Sequence, residues 1–265
     1  MFFRHKRVWI TGASSGLGEA IALELAYRQA HLILSARNEA ALQKVANACA
    51  AAGAASVLVQ VLDLERHETL GNIAQGVLQR VGKIDILIHC GGISQRSLTW
   101  ETSLEVDKKI MNINYFGTIA LTKAVLPSML THHLGHIVVI SSVTGKIGWH
   151  QRSAYSASKH ALHGFFDTLR MELRNSPIQI TIACPGYIHT QVSMHALRGD
   201  GAEHREMDVE TAQGMAPERA ALAILRAIET GKEEIWFGGR ELMGIYLKRF
   251  FPKYFSRLSK KAASS

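Results

Sequence analysis

Short apolar runs alternate with longer helix-like segments along this chain, and this alternation constrains the fold more than any other feature. The runs are apolar throughout, rather than apolar at every second position. They lie at 7–11, 31–35, 56–62, 84–89, 135–141, 178–184 and 234–237. Continuous apolar strands are typical of a parallel sheet that is buried on both faces by connecting helices.

The segments between these runs have helical apolar spacing. We expect helices at 19–29, 39–52, 66–81, 104–129, 160–174 and 217–230, the fourth reaching only as far as Pro127 because proline disrupts a helix interior. Strands alternating with helices predict an α/β fold with a doubly wound parallel sheet of the Rossmann type. We place a single domain at residues 1–238 and a basic amphipathic helical extension at 239–265.

A glycine-rich turn joins the first predicted strand to the first helix. Glycine lets the backbone turn tightly and approach a ligand, and the N–H groups at a helix start can bind phosphate. Such turns also occur for packing alone, but the position after the first strand favours dinucleotide binding. The candidate cofactor residues in this turn are Gly12, Ser14, Ser15, Gly16, Leu17 and Gly18.

Arg37 follows the second predicted strand, and no acidic residue lies between His31 and Asn38. An acid here would bind the ribose hydroxyls of NAD, whereas an arginine can bind the 2′-phosphate of NADP. We therefore expect NADP(H), the alternative being a solvated arginine at a strand end. Asp63 and Leu64 are candidates for adenine contact, although Asp63 can also cap a helix.

Tyr155 and Lys159 are four residues apart in a helix-like segment, so both side chains can face one site. An ammonium nearby favours the phenolate of a tyrosine, and so does the charge of an oxidised nicotinamide. The pair is a candidate for proton transfer beside a hydride carrier. Taken alone, such a pair is more often a half-buried tyrosine and a surface lysine.

Five motifs in order make the chain resemble a single-domain short-chain dehydrogenase/reductase over about residues 7–238. They are the glycine turn, Asn114, Ser142, the Tyr155-x-x-x-Lys159 pair and Pro185-Gly186. Further stretches, such as 114–117 and 211–214, resemble the family-member-seven branch, which is related to hydroxysteroid dehydrogenases and includes membrane-associated proteins. The resemblance implies an oxidoreductase that interconverts a carbonyl and a secondary alcohol.

The resemblance implies a role for each catalytic candidate. Tyr155 would exchange a proton with the substrate oxygen, and Lys159 would support it and bind the nicotinamide ribose. Ser142 would donate a hydrogen bond to the same oxygen, although a serine at a strand end can simply cap a turn. Asn114 would hold a water that connects Lys159 to solvent, although alone it is equally a helix-packing amide.

The same resemblance assigns the nicotinamide end of the cofactor to residues after the sixth strand. Pro185 and Gly186 would turn the chain beside the ring. The Ile188 backbone and the Thr190 hydroxyl would hold its carboxamide.

One departure from the family pattern follows the fourth strand. The family usually has Asn-Asn-Ala-Gly there, and this chain has His89-Cys90-Gly91-Gly92. Cys90, Gly91 and Gly92 remain cofactor candidates, but a thiol is a weaker hydrogen-bond partner than an amide, so we expect weaker cofactor binding. His89 can restore a polar contact or be an ordinary strand-end residue.

Cysteine usage and hydropathy argue against several other classes of protein. Three widely spaced cysteines argue against a disulfide framework or a zinc site, so we expect no metal. No apolar run reaches the roughly 18 residues of a membrane span, and the N-terminus lacks the apolar core of a secretory signal. We expect a cytoplasmic protein.

The net charge of +8 is concentrated in the extension, where residues 240–265 contain seven basic residues and a single acid, Glu241. This confinement argues against a nucleic-acid partner. Aromatic and aliphatic residues accompany the basic ones, and Pro252 should kink the segment or split it into two helices. The composition is typical of an interfacial helix on an anionic membrane, and equally of a helix pair packed on the domain or a partner.

Substrate and assembly are the least constrained. We expect a medium-sized apolar carbonyl compound or alcohol, bound by residues 143–152 and by a mobile lid at 187–215. The resemblance implies a homodimer or homotetramer through the Asn114 and Tyr155 helices, and residues 240–261 allow peripheral membrane contact. Two alternatives stay open: a sugar epimerase or dehydratase, usually a longer chain, and a membrane-bound binding protein without turnover.

Overall fold

A computed structural model describes the backbone of residues 2–262 and the side chains of residues 2–258, and its centre is a seven-stranded parallel sheet. The strands are β1 (Arg7–Thr11), β2 (His31–Ser35), β3 (Ser56–Val59), β4 (Ile86–His89), β5 (His136–Ile140), β6 (Gln179–Pro185) and β7 (Glu234–Phe237). Their order is β3-β2-β1-β4-β5-β6-β7, and each neighbouring pair is parallel. The predicted doubly wound α/β fold is confirmed.

Helices connect the strands and cover both faces of the sheet. They are α1 (Gly16–Ala26), α2 (Glu39–Ala51), α3 (Leu70–Val81), α4 (Leu104–Met111), α5 (Gly117–Thr131), α6 (Ser153–Glu172), α7 (Val209–Ala212), α8 (Pro217–Glu229), α9 (Leu242–Phe250) and α10 (Pro252–Ala262). Alternate strand residues face opposite layers. Val8 and Ile10 pack with α1, α2 and α8, whereas Trp9 packs with α3, α5 and α6.

The long helix expected over 104–129 differs from the structure in two ways. A π-helical turn, Asn112–Phe116, separates α4 from α5, and α5 continues through Pro127 to Thr131. Proline removes one helical hydrogen bond, but the turn around it is stabilised locally, since the Thr131 hydroxyl donates to the Pro127 carbonyl at 3.0 Å. Val125 and Met129, on either side, are buried in the core.

The strand order reverses between β1 and β4, and this reversal opens a crevice at the carboxyl ends of the two strands. The turn after β1 touches the loop after β4 there. Gly12 has a φ of +68°, and a Cβ on it would lie 2.6 Å from the Cα of Gly91. The close approach of these two loops therefore requires glycine at position 12.

The C-terminal extension forms two helices that Pro252 separates, as expected. Ile245 of α9 is buried against Val143 and Ile147 of the domain. The predicted boundary at 238/239 stays a prediction, and the charges expected at Lys260 and Lys261 lie outside the described side chains. None of the helices within residues 2–262 combines the length and apolar character needed to cross a membrane.

Candidate active site

A cavity of about 1310 Å³ follows the carboxyl ends of the strands. Its walls include three of the four predicted catalytic residues, Ser142, Tyr155 and Lys159. They also include every predicted cofactor residue: Gly12, Ser14, Ser15, Gly16, Leu17, Gly18, Arg37, Asp63, Leu64, Cys90, Gly91, Gly92, Pro185, Gly186, Ile188 and Thr190. The structure therefore brings the two sets together at one site.

The glycine turn forms a cradle at the start of α1. Ser15 precedes the helix without making a side-chain capping bond, so it leaves the first N–H groups of the helix available. A Cβ on Gly16 would touch Thr190 at 3.1 Å, and one on Gly18 would overlap the Gly12 carbonyl. These open N–H groups and the absence of side chains fit the phosphates of a dinucleotide.

Arg37 lies exposed at the far rim of the cavity and forms no ion pair within the described residues. Asn38 beside it caps α2, since its Oδ1 accepts from the Ala41 N–H at 3.0 Å. Asp63 accepts from the Glu65 N–H at 3.0 Å and also lines the cavity, so it combines a local turn with a place in the site. Arg37 is thus a positively charged group at this end that no described acidic residue neutralises.

Tyr155 and Lys159 lie one turn apart near the start of α6. Lys159 is buried, and its Nζ lies 5.7 Å from the centre of the Tyr155 ring. The ammonium donates to the Ile140 carbonyl at 2.8 Å, which leaves two of its three donors unused. The half-buried Tyr155 hydroxyl makes no hydrogen bond within the described residues.

Ser142 follows β5 and caps the short 3₁₀ turn Val143–Gly145. Its Oγ accepts from the Thr144 N–H at 3.1 Å. The capping role foreseen as an alternative is therefore present. It uses only a lone pair, so the hydroxyl proton remains available for a group in the cavity.

Asn114 lies behind the cavity wall, in the π-helical turn. Its Oδ1 accepts from the Ile93 N–H at 2.8 Å, and its Nδ2 donates to the Ile93 carbonyl at 2.9 Å and to Ser158 Oγ at 3.0 Å. Its own carbonyl accepts from the Thr118 hydroxyl. Asn114 therefore braces the loop after β4 against α6, and a water bound by it stays a prediction.

The His89-Cys90 pair separates, with one side chain on each side of the loop. His89 is buried against α5, its Nε2 lies 2.8 Å from Thr122 Oγ1, and burial lowers its pKa to about 3. Its polar contact is with a helix and not with the cavity. Of the two alternatives for His89, the structure therefore supports an ordinary strand-end residue. Cys90 lines the cavity, and burial raises the pKa of its thiol to about 12, against the opposing charge of Lys159.

An ion-pair cluster on the substrate side was not singled out from the sequence. Arg96 Nε and Arg152 Nη2 each lie 3.0 Å from the carboxylate of Asp208. Burial alone would raise the pKa of Asp208, but the Arg96 hydrogen bond and the two positive charges hold that pKa below its usual value. Asp208 thus anchors segment 187–215, and no local motif connects these distant positions.

Glu241 is the second residue that the sequence did not mark as part of the site. Its carboxylate lines the cavity and accepts from the N–H groups of Tyr187 at 3.1 Å and Gly239 at 2.9 Å. It also packs directly on Gly186, leaving no room there for a side chain. Its status as the single acid in a basic segment was the signal available.

Among the described residues, no group of three His, Cys, Asp or Glu side chains is arranged to hold a metal ion. The site consists instead of a phosphate cradle at the switch point of a parallel sheet and a tyrosine, lysine and serine facing the same cavity. This combination defines a Rossmann-type oxidoreductase that uses a nicotinamide dinucleotide.

The family model described as short chain dehydrogenase matches residues 6–200, and the chain belongs to the short-chain dehydrogenase/reductase family. It is 41% identical over 263 residues to "Dehydrogenase/reductase SDR family member 7B" of Bos taurus, covering 97% of this chain and 81% of the relative. It is also 41% identical over 263 residues to "Dehydrogenase/reductase SDR family protein 7-like" of Anopheles gambiae, covering 97% and 83%. The resemblance to the family-member-seven branch is confirmed.

Solved structures share this fold. A short-chain dehydrogenase/reductase from Burkholderia phymatum in complex with NAD superposes with a TM-score of 0.85 at 24% identity, covering 96% of both chains. An alcohol dehydrogenase from Thermococcus sibiricus complexed with 5-hydroxy-NADP gives a TM-score of 0.77 at 25% identity, covering 90% of this chain and 98% of that one.

Proposed function

We propose that this chain transfers a hydride between NADP(H) and a carbonyl compound or secondary alcohol. One observation carries the proposal: Tyr155, Lys159 and Ser142 face one cavity with unused donor groups, beside a cradle that fits a dinucleotide. Hydride transfer to a carbonyl needs a proton and a hydrogen-bond donor at the developing alkoxide. These side chains can supply both.

Each residue has a definite task in this proposal. A bound nicotinamide supplies or accepts the hydride. The Tyr155 hydroxyl donates the proton to the substrate oxygen in reduction and removes it in oxidation. Ser142 donates a hydrogen bond to the same oxygen, and Lys159 holds the ribose with the donors that Ile140 leaves free.

The choice of NADP(H) over NAD(H) rests on Arg37. Its guanidinium is exposed at the cavity rim without an ion-pair partner in the described range. A phosphate offers such a group charge-assisted, paired hydrogen bonds that a ribose hydroxyl does not.

The substrate side supports a medium-sized substrate with an apolar body. Ile93, Trp149, Val192 and Leu197 line the cavity there. The two arginines nearby are already engaged by Asp208. A ketone or secondary alcohol can therefore pack on apolar walls while its oxygen meets Tyr155 and Ser142.

Turnover on a panel of apolar ketones and alcohols tests the proposal. NADPH should be consumed with at least one ketone, and Tyr155→Phe should abolish this consumption while still binding NADPH. A sugar epimerase or dehydratase returns its hydride to the same substrate, so it would show no net consumption. NADPH binding without turnover on any member of the panel would support a binding protein instead.

We further propose a cytoplasmic homodimer or homotetramer that associates through the Asn114 and Tyr155 helices. Phe116 and Met171 lie exposed along these elements, which supports the proposal. Light scattering should report a dimer or tetramer for the unmodified chain and a smaller species for Phe116→Lys. A monomeric unmodified chain would contradict it, and fractionation of cells tests the location.

A further inference from the structure

The outer face of the two C-terminal helices is apolar and exposed. Met243, Tyr246 and Phe250 recur at helical spacing along α9, with Met243 62% and Phe250 66% exposed. Phe251, between the two helices, and Tyr254 and Leu258 of α10 continue the exposed surface. We call these six residues the tail face. A cluster of this size on a helix pair marks an interaction surface, whereas single exposed apolar residues need no explanation.

The helices pack on the domain mainly by another side, although Tyr246, at the edge of the tail face, meets the Trp236 ring of β7 with 5.5 Å between the ring centres. The main packing uses Ile245, which is buried with Val143 and Ile147. Phe255 lies close to Gly244 and packs in the same cluster. The inner side of α9 is therefore already covered, and the tail face needs a different partner.

The charged side chains that α9 and α10 contribute beside the tail face are all positive over the described residues. Lys248, Arg249, Lys253 and Arg257 are exposed, and none of the four forms an ion pair with a described residue. Glu241, the only acid of the extension, is turned inward and bonded to Tyr187 and Gly239. The outer surface thus combines aromatic and aliphatic groups with uncompensated positive charge.

A second copy of the chain is a poor match for this surface. A two-fold interface would place the same four positive charges opposite one another, and repulsion would oppose the association. An anionic bilayer matches both properties, because apolar side chains enter its interface while Lys and Arg attract its headgroups. Helices of 9 and 11 residues are too short to span it.

The extension that carries the tail face also adjoins the cavity. Glu241 and Trp149 line the cavity wall, and Trp149 packs in the same cluster as Ile245 of α9. We propose that the tail face docks peripherally on an anionic membrane and holds the substrate side of the cavity at the lipid surface, where apolar substrates partition. Delivery of substrate rests on the proposed function, but docking does not and can be measured without turnover.

Vesicle flotation with the full chain tests the docking. The chain should float with vesicles that contain phosphatidylserine and stay largely unbound with phosphatidylcholine alone. Phe250→Ser/Phe251→Ser should reduce binding at least tenfold by removing buried apolar area. Lys248→Gln/Arg249→Gln/Lys253→Gln should reduce vesicle binding about fivefold per residue. Added salt should likewise weaken vesicle binding by the unmodified chain.

A matched control is Tyr27→Ser/Leu222→Ser, which removes two exposed apolar side chains from the layer formed by α1 and α8. It should float like the unmodified chain. Equal flotation of the Phe250/Phe251 variant and this control would overturn the proposal. So would equal binding to both vesicle types, or an oligomer that dissociates in the Phe250/Phe251 variant without any vesicle binding.

Discussion

The carboxylate of Glu241 accepts a hydrogen bond from the backbone N–H of Tyr187 at 3.1 Å, although 54 positions separate the two residues. Tyr187 directly follows the Pro185-Gly186 turn, where we expect the nicotinamide. Glu241 directly precedes α9. The first residue before the C-terminal helices is therefore bonded to the wall of the candidate active site, and the extension and the site share a fixed contact.

We expect Glu241→Ala to lower the free energy of unfolding by about 2 kcal/mol, because two backbone N–H groups lose a charged acceptor. Disorder in the Tyr187 turn should also weaken NADPH binding. Glu241→Gln keeps an oxygen acceptor, so its stability and its NADPH affinity should lie between those of the unmodified chain and those of Glu241→Ala. Chemical denaturation and fluorescence titration measure these effects, with the exposed Glu233→Ala as control; identical behaviour of both alanine variants would remove the anchoring role.

Ser142→Ala should lower kcat for ketone reduction roughly 100-fold, in the range found when one donor to a developing oxyanion is removed. The lost cap on the following 3₁₀ turn should cost only about 1 kcal/mol of stability. NADPH affinity should stay within about twofold, since Ser142 is assigned to substrate oxygen. Steady-state kinetics and NADPH titration separate these effects, and a loss confined to cofactor affinity would argue for a different role.

Arg37→Ala should weaken NADPH binding by about 1.5–3 kcal/mol, or roughly tenfold to a hundredfold, and leave NADH binding nearly unchanged. A hydrogen bond to a charged group accounts for that magnitude. Fluorescence titration of both cofactors measures the difference, and Lys44→Ala on α2 is a control for loss of one exposed positive charge. Equal NADPH and NADH affinities in the unmodified chain would rule out the assignment of NADP(H).

Cys90→Asn should strengthen cofactor binding about fivefold, which corresponds to one additional ordinary hydrogen bond. Cys90 lines the cavity, and its half-buried thiol, with a pKa raised to about 12, stays neutral and bonds weakly. NADPH titration of the variant tests this. Unchanged or weaker affinity, with an intact fold by circular dichroism, would show that the loop has adapted to the smaller side chain.

Stability should decrease in mild acid because of His89. Its folded pKa of about 3 is below the ordinary histidine value of about 6.5, so the unfolded chain binds more protons between these values. The contribution is present above pH 6.5 and is lost as pH falls, at about 1.4 kcal/mol per pH unit. Urea denaturation between about pH 7 and pH 5 should show a shallower fall for His89→Gln; an equal fall would exclude this source.

Much of the fold could be predicted because the inner strands β2, β1, β4, β5 and β6 are buried on both sides and are therefore largely apolar, and the edge strands have the same composition. That pattern located all seven strands, and β7 agrees at both ends. The end of β3 was harder to predict. The regular ladder stops at Val59, but the backbone N–H groups of Gln60 and Leu62 still donate to carbonyls at the end of β2 and just beyond it. The helix beyond Pro127 depends on core packing of its neighbours, which sequence spacing around a proline does not reveal.

The candidate site also contains residues that the sequence could locate and residues that it could not. Residues in local motifs, such as the glycine turn and the Tyr155–Lys159 pair, could be located from spacing alone. Asp208 and Glu241 could not, because their partners are distant in sequence and are brought near only by the packing of segment 187–215 and of α9. His89 was ambiguous for a related reason: which side of a loop a side chain takes depends on the Thr122 helix beside it.

The π-helical turn at Asn112–Phe116 has a consequence for insertions and deletions. A π turn contains one residue more than the α-helical turn it replaces. Deleting a single residue there would turn the π-helical turn into an ordinary α-helical one, leaving α4 and α5 in line but shifting the residues inside the turn. Asn114 would then lose its register with Ile93 and Ser158. This helix should accept many substitutions on its outer surface, while its residue count between α4 and α5 is fixed.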